Sequence, residues 1–278
     1  AATWAGHARR GGAHVPIIAF PDPRTARRDG LLAVGGDLHP DSLILAYRSG
    51  IFPWPTEGMP LPWFCPPRRA ILEWARLHVP RSLRGARNRR AFRLSVDEAF
   101  PRVIDACAHT PRYDPDTGEL EGTWITAEMI DAYVRLHLLG HAHSVEAWAG
   151  DELCGGLYGV CVEGVFSAES MFHTRSDASK LALLHLLEHL HRGGLDWLDV
   201  QVMSPHVQRL GARDLPRPGP FIVFSQRGRW RSVEGDECPL VLPRTAAPWL
   251  IIRPLAEPQL ASGVHTLIDM MRRALSAS

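Results

Sequence analysis

The sequence has little lysine, little cysteine and no long apolar run. Lys180 is the only lysine among its 31 basic residues, which we attribute to coding bias and not to function. The five cysteines are scattered and form no C-x-x-C pair, so a disulfide scaffold and a cysteine zinc site are excluded. No stretch of about 18 apolar residues could span a membrane, and residues 1–16 hold no signal-peptide core. We therefore expect a cytoplasmic protein.

The charge is nearly balanced, because the formal net charge is only +1. A polyanionic partner must then be held by a local patch. Residues 81–93 form the densest basic patch, with arginines at 81, 84, 87, 89, 90 and 93. Such a run is a solvated surface about half the time. The neighbouring segment carries aromatics that we expect to be exposed, namely Phe52, Trp54, Trp63 and Phe64, and this combination favours RNA binding.

The periodicity predicts an α+β protein with a mixed sheet, because a three-stranded meander is followed by a helix and one more strand. The strand returning after this helix is expected to run parallel to a meander strand. Asp177 or Ser176 is expected to cap this helix, and Asp41 or Ser42 is expected to cap the earlier helix Asp41–Ser49. The predicted strands are 144–148, 153–162, 165–172 and 197–202, and the predicted helices are Asp41–Ser49, Ala127–Leu139 and Ala178–Arg192.

Polar side chains occur inside two of these strands. Asp199 and Gln201 share one face of strand 197–202, and Ser167 and Glu169 share one face of strand 165–172. A solvated face is the simpler explanation of a lone Asp-x-Gln pair. A buried carboxylate or amide costs several kcal/mol unless it is hydrogen-bonded, so burial of these residues would instead indicate a site.

One short motif suggests a metal, since His185, Glu188 and His189 match H-x-x-E-H. On a helical wheel these residues lie opposite the leucine stripe and no third ligand is evident from spacing. We therefore expect a solvated face and no metal, and we keep a zinc hydrolase as a weak alternative.

Eight motifs in matching order resemble the bacterial leucyl/phenylalanyl-tRNA protein transferases, over about residues 20–216. They are Gly30-Leu-Leu-Ala-Val-Gly-Gly-Asp37-Leu, Gly50-Ile-Phe-Pro-Trp54, Glu121-Gly-Thr-Trp124-Ile-Thr126, Leu139-Gly-His-Ala-His-Ser144, Gly155-Gly-Leu-Tyr-Gly159, Ala168-Glu-Ser-Met-Phe172, Ala178-Ser-Lys180 and Asp199-Val-Gln201. The resemblance implies transfer of Leu or Phe, less often Met, from aminoacyl-tRNA to an N-terminal Arg or Lys. The product is a destabilising N-terminus for N-degron proteolysis.

The resemblance also implies an acetyltransferase-like (GNAT-like) fold. We expect an N-terminal domain over residues 1–80, a catalytic domain over 81–216 and an extension of unknown role over 217–278. In the extension, 221–224 and 249–252 look like strands and 265–275 like a helix. An acyl-CoA-dependent acetyltransferase is the natural rival, but segment 173–180 lacks the glycines of a pyrophosphate loop. A noncatalytic RNA-binding protein is the other alternative.

By position in the motifs, Asp199, Gln201 and Glu169 are the implied catalytic residues. Aminolysis of an ester needs a neutral amine, a proton acceptor and a proton for the leaving ribose oxygen. No cofactor is expected, because the aminoacyl ester is already activated. The tRNA's own ribose hydroxyl is an alternative proton carrier, which would leave Asp199 and Gln201 to position the groups.

We expect the protein to be a monomer. The remaining implied contacts are made with its two substrates, the aminoacyl-tRNA and the acceptor protein. Trp54 and Trp124 match residues that hold the terminal adenosine, and Arg81 and Arg84, extended here to Arg87, match residues that bind the acceptor stem. Glu169 and Asp199 could also attract the basic acceptor residue. Six apolar residues match positions that line the pocket for the side chain of the transferred amino acid, namely Leu157, Phe166, Met171, Leu183, Leu186 and Leu190. Ser167, a polar residue of strand 165–172, is expected to contact the substrate as well.

Overall fold

The computed structural model describes residues 16–56, 58–113 and 120–216, together with three short strands further on. The helices are α1 (Pro40–Arg48), α2 (Arg81–Asn88), α3 (Phe100–His109), α4 (Ala127–Leu138), α5 (Ala178–Arg192) and α6 (Pro205–Arg209), with 3-10 turns at Pro23–Thr25 and Trp74–Arg76. The strands are β1 (Ile17–Ala19), β2 (Leu31–Val34), β3 (Phe52–Pro53), β4 (Pro62–Phe64), β5 (Arg68–Glu73), β6 (Arg93–Val96), β7 (Arg112–Tyr113), β8 (Leu120–Glu121), β9 (Ala142–Ala149), β10 (Glu152–Val162), β11 (Val165–His173), β12 (Trp197–Gln201), β13 (Arg213–Pro216), β14 (Val223–Phe224), β15 (Trp230–Arg231) and β16 (Leu250–Ile251).

A seven-stranded mixed sheet carries the architecture, in the order β13-β5-β12-β11-β10-β9-β6. The meander β9-β10-β11 is antiparallel, and β12 returns after α5 to pair in parallel with β11. The predicted mixed sheet and its parallel pairing are therefore confirmed. The remaining pairings in this sheet are antiparallel.

Helices cover both faces of this sheet, as the alternation along β10 requires. Tyr158 and Val160 belong to a cluster with residues of α1, α3 and α4. Leu157, which precedes Tyr158 and faces the other side of the sheet, belongs to a second cluster with the leucine stripe of α5. The sheet thus lies between the N-terminal segment with α3 and α4 on one side and α5 on the other.

The predicted cap of α1 is wrong and that of α5 is right only in its position, although both helices form close to the predicted bounds. Helix α1 begins at Pro40, and the side chain of His39 accepts from the Asp41 amide. Ser42 does not cap because its hydroxyl is engaged with Ile17 and Asp37. At α5, Asp177 occupies the cap position with a left-handed φ of 70° and makes no side-chain cap hydrogen bond.

The expected exposure of the N-terminal aromatics is also wrong. Phe52, Trp63 and Phe64 are fully buried, and Trp54 is 6% exposed. Phe52, Trp63 and Phe64 lie on strands β3 and β4 of the small sheet β2-β4-β3, and all four aromatics pack in the cluster shared with α3 and α4. A Pro/Gly-rich segment looks like loops locally, but its aromatic side chains are the apolar area that this segment buries.

The strand β5, residues 68–73, lies inside the large sheet between β12 and β13. The expected boundary at residue 80 therefore separates this strand from the other strands of its sheet. In the C-terminal extension, 223–224 and 250–251 form short strands, and the expected helix 265–275 lies outside the described residues. None of the helices in the described ranges has both the length and the hydrophobicity of a membrane-spanning segment.

Candidate active site

The parallel pair β11 and β12 brings the three expected catalytic residues together. Asp199 and Gln201 are 5% and 3% exposed, so the solvated-face explanation is wrong. The Gln201 side-chain amide donates to the Glu169 carboxyl, with Nε2 and Oε1 2.6 Å apart. Ser167, paired in register with Asp199, donates to Asp199 Oδ2 at 3.0 Å. The polar residues of two strands thus form one buried network.

Asp199 is held by an arginine that the sequence does not single out. Arg69, from β5, donates from Nε to Asp199 Oδ1 at 2.9 Å and from Nη2 to Oδ2 at 2.7 Å. Its Nη1 donates to the Gly50 carbonyl at 3.0 Å, and its guanidinium lies 4.9 Å from the Phe52 ring centroid. Burial lowers the pKa of Arg69, but Asp199 outweighs it and the net shift is upward.

Glu169 is placed to gain and lose a proton near neutral pH. Burial raises its pKa from 4.5 to about 7, against the lowering effects of a hydrogen bond from Tyr47 and the charge of Arg69. Tyr47 and Tyr133 lie with their hydroxyl oxygens 2.6 Å apart, and both also hydrogen-bond to Glu169. The pKa of each tyrosine is raised well above 10, mainly by burial. These tyrosines look like ordinary helical core residues in the sequence.

The backbone at Gln201 departs from strand geometry. Its φ is 59°, a left-handed conformation that is uncommon outside glycine, and the ladder with β5 shifts register between Asp199 and Gln201. The Gln201 amide nitrogen donates to Asp199 Oδ1 at 2.8 Å, which stabilises this turn of the chain. The strand therefore ends one residue before the predicted Val202. Such strain is typical of functional sites.

A small cavity of about 50 Å³ lies beside Glu169. Of the expected pocket residues, Leu157, Met171 and Leu183 line it. Phe166, Leu186 and Leu190 pack in the apolar cluster around it, and Ser167 contacts Asp199 instead. The other lining residues are Ala168, Ser170, Val200, Val202, Ser204, His206 and Val207. The wall is mainly apolar with a carboxyl group at one side.

His206 is a lining residue that the sequence analysis does not identify. Its side chain is buried, and its Nε2 has no hydrogen-bond partner among the described residues. Burial, followed by the positive charges of Lys180 and Arg209, lowers its pKa from 6.5 to about 4. The imidazole is therefore neutral at pH 7, which suits an apolar pocket.

Trp54 and Trp124 lie against each other, with ring centroids 4.3 Å apart and an interplanar angle of 17°. Both are 6% exposed. An open groove of about 850 Å³ runs past their sequence neighbours Pro55 and Thr126 and along α4 to Arg135. The structure thus brings the two expected adenosine-binding residues together as a stacked pair.

The expected tRNA-binding arginines lie on one surface helix. Arg81, Arg84 and Arg87 on α2 are exposed, while Leu83 of this helix packs towards α5. Arg87 also pairs with Glu188 of the H-x-x-E-H motif at 2.5 Å, so this glutamate contacts a cation. In the described ranges, no group of three His, Cys, Asp or Glu residues could hold a metal ion.

A buried carboxyl and amide pair lies beside an apolar pocket, an arrangement suited to a ligand that has both polar atoms and an apolar side chain. The family model of the leucyl/phenylalanyl-tRNA protein transferases matches residues 71–221, and the model of their N-terminal domain matches residues 36–67. The chain is 50% identical to the leucyl/phenylalanyl-tRNA–protein transferase of Anaeromyxobacter sp. (strain K) over 220 residues, 77% of this chain and 92% of that protein.

The corresponding transferase of Syntrophobacter fumaroxidans is 49% identical over 225 residues, 80% of this chain and 94% of that protein. The chain therefore belongs to the leucyl/phenylalanyl-tRNA protein transferase family. Among solved structures, L-PGS from Bacillus licheniformis is 14% identical, with a TM-score of 0.33 over 56% of this chain and 48% of that one. A similarity this low carries no weight for the fold.

Proposed function

We propose that the protein transfers Leu or Phe, and less readily Met, from aminoacyl-tRNA to an N-terminal Arg or Lys of acceptor proteins. Family membership and the names of the relatives support aminoacyl transfer from tRNA to protein. The observation that carries the proposal is the buried Gln201–Glu169 contact beside an apolar pocket. An apolar pocket binds Leu, Phe or Met by burying their side chains.

The reaction is an aminolysis. The acceptor's α-amine attacks the ester carbonyl, an N–C bond forms, and the bond from the carbonyl carbon to the ribose oxygen breaks. The amine loses a proton and the ribose oxygen gains one. Glu169, with its pKa of about 7, is suited to accept the proton, and Gln201 orients the reacting groups. The ester is already activated, so the proposed reaction needs no cofactor.

The rest of the site is assigned to the two substrates. We propose that Trp54 and Trp124 hold the terminal adenosine, and that Arg81, Arg84 and Arg87 contact acceptor-stem phosphates. Glu169 attracts the basic N-terminal residue of the acceptor, since the charge of Asp199 is already paired with Arg69. The protein acts as a cytoplasmic monomer with an acetyltransferase-like catalytic domain, and its product enters N-degron proteolysis. The division into residues 1–80, 81–216 and 217–278 stays a prediction.

The test is to incubate the protein with Leu- or Phe-charged tRNA and peptides beginning with Arg, Lys or Ala, and to look by mass spectrometry for one added residue. We expect addition to the Arg and Lys peptides, and its loss in Asp199→Ala and Gln201→Ala. Binding of charged tRNA without addition would instead support a noncatalytic RNA-binding protein. Addition of an acyl group from acyl-CoA would support the acetyltransferase alternative.

A further inference from the structure

The guanidinium of Arg69 is a buried cation in the centre of the site. Both Arg69 and Asp199 have side chains only 7% exposed, and their closest N–O distance is 2.7 Å. Burying either charge alone would cost several kcal/mol, so the pair must be well matched to persist. The neighbouring Arg68 on β5 makes a similar contact with Asp214, but at the exposed edge of the sheet.

The hydrogen bonds to Asp199 occupy both of its carboxylate oxygens. Oδ1 accepts from Arg69 Nε and from the Gln201 backbone amide, and Oδ2 accepts from Arg69 Nη2 and from the Ser167 hydroxyl. A carboxylate offers about four lone-pair positions, so this one is filled. Asp199 therefore has no free position at which to take a proton from an attacking amine.

The opposite end of the guanidinium is held as firmly. Nη1 donates to the Gly50 carbonyl at 3.0 Å, and the Phe52 ring lies under the cation at 4.9 Å. Because both ends are fixed, the planar fork cannot swing away from Asp199. Asp199 in turn fixes the strained backbone of Gln201, whose side chain contacts Glu169.

We propose that Arg69 is a positioning residue of the transfer reaction, which holds Asp199 in one orientation so that Asp199 anchors Gln201 and does not itself accept the proton. This inference rests on the proposed function. The two hydrogen bonds from one planar group are essential to it, because a lysine would supply the charge from a single point. Glu169 then remains the carboxyl group free to take part in proton transfer.

The experiment compares Arg69→Lys and Arg69→Met with Arg68→Ala as the matched control on the same strand. Single-turnover transfer should fall about 10²-fold in Arg69→Lys, since small misplacements of reacting groups cost about this much, while the affinity for charged tRNA is retained. In Arg69→Met the transfer rate should fall further, because neither the paired hydrogen bonds nor the positive charge beside the buried Asp199 carboxylate remains. Arg68→Ala should keep the parent rate.

A second readout does not depend on transfer. In protein labelled on glutamine side chains, the NMR signal of the Gln201 amide should shift in both Arg69 variants and stay in place in Arg68→Ala. A parent protein that transfers nothing would count against the proposed function, and the NMR signal would still test the role of Arg69. The inference is overturned if Arg69→Lys transfers at the parent rate, or if the Gln201 signal stays unchanged in both Arg69 variants.

Discussion

The side-chain amide of Gln201 and the carboxyl of Glu169 are joined by a hydrogen bond of 2.6 Å, although the residues are 32 positions apart in the chain. The contact exists because β12 returns after α5 to lie parallel to β11. Gln201 donates this bond, so Glu169 Oε1 is an acceptor whether the carboxyl group is charged or neutral. The contact is therefore compatible with both protonation states of Glu169, whose pKa is raised to about 7.

Replacing Glu169 by Gln should remove a pH dependence of stability. The pKa of Glu169 is raised from 4.5 to about 7, so the native state favours the neutral form, and the resulting stabilisation is present below pH 4.5 and lost as the pH rises through about 7. Glu169→Gln stays neutral, so its free energy of unfolding should rise by about 3 kcal/mol relative to that of the parent between about pH 4 and about pH 8. Urea unfolding at both pH values measures this. The exposed Glu152→Gln variant should show no such gain.

Replacing Tyr47 by Phe should shift the pH dependence of transfer upward. The hydrogen bond from Tyr47 lowers the pKa of Glu169, so its loss should raise that pKa beyond about 7. If Glu169 accepts the proton, the rate then declines at a higher pH as the solution is acidified. The single-turnover rate as a function of pH measures the shift. An unmoved pH profile in a folded Tyr47→Phe variant would count against Glu169 as the proton acceptor.

Replacing Trp124 by Ala should weaken the interaction with the tRNA end. Stacking of a base on an aromatic ring contributes about 1–3 kcal/mol, so KM for charged tRNA should rise about tenfold or more. Trp124→Phe should recover part of the loss. Trp74, which stacks on His191 with centroids 4.4 Å apart, provides the control, because Trp74→Ala should leave KM unchanged. Equal KM values in Trp124→Ala and the parent would exclude the adenosine role.

Replacing Met171 by Ala should change the preference among amino acids. Met171 lines the cavity beside Glu169, and removing its side-chain atoms enlarges the space for a bulky substrate. The ratio of kcat/KM for Phe over Leu should rise about tenfold, as expected for a change of a few methylene groups. Leu184→Ala is the control, because Leu184 packs with Leu83 and does not line the cavity. This variant should be less stable but should keep the same ratio of kcat/KM for Phe over Leu.

Replacing His206 by Gln should reduce the loss of stability that the protein undergoes on acidification. The pKa of His206 is lowered from 6.5 to about 4, so the neutral imidazole stabilises the native state above pH 6.5, and this is lost as the pH falls through about 4. The glutamine in His206→Gln cannot take up a proton. On acidification, the free energy of unfolding of this variant should therefore fall by about 3 kcal/mol less than that of the parent. Thermal unfolding between about pH 7 and about pH 4 checks this. Parallel curves for the two proteins would show that His206 is not held neutral by burial.

The sequence predicts the sheet but not the partners of the site residues. Period-two alternation and the α5 leucine stripe were enough to predict the meander, the helix and the parallel return, because each depends on local pattern and short connections. Arg69, in contrast, lies 130 positions from Asp199. Its place beside that carboxylate depends on β5 joining the sheet next to β12, and no local signal in the sequence indicates this pairing.

The sequence by itself determined the family, the order of elements from α4 to β12 and the polar residues of β11 and β12, because motifs and periodicity are properties of neighbouring residues. Only the tertiary structure decided that Asp199 is clamped by Arg69, that Glu169 contacts Tyr47 and Tyr133, and that the N-terminal aromatics are buried. The physical reason is that burial and charge pairing depend on which distant segments pack together, and they set the pKa of Glu169 near 7.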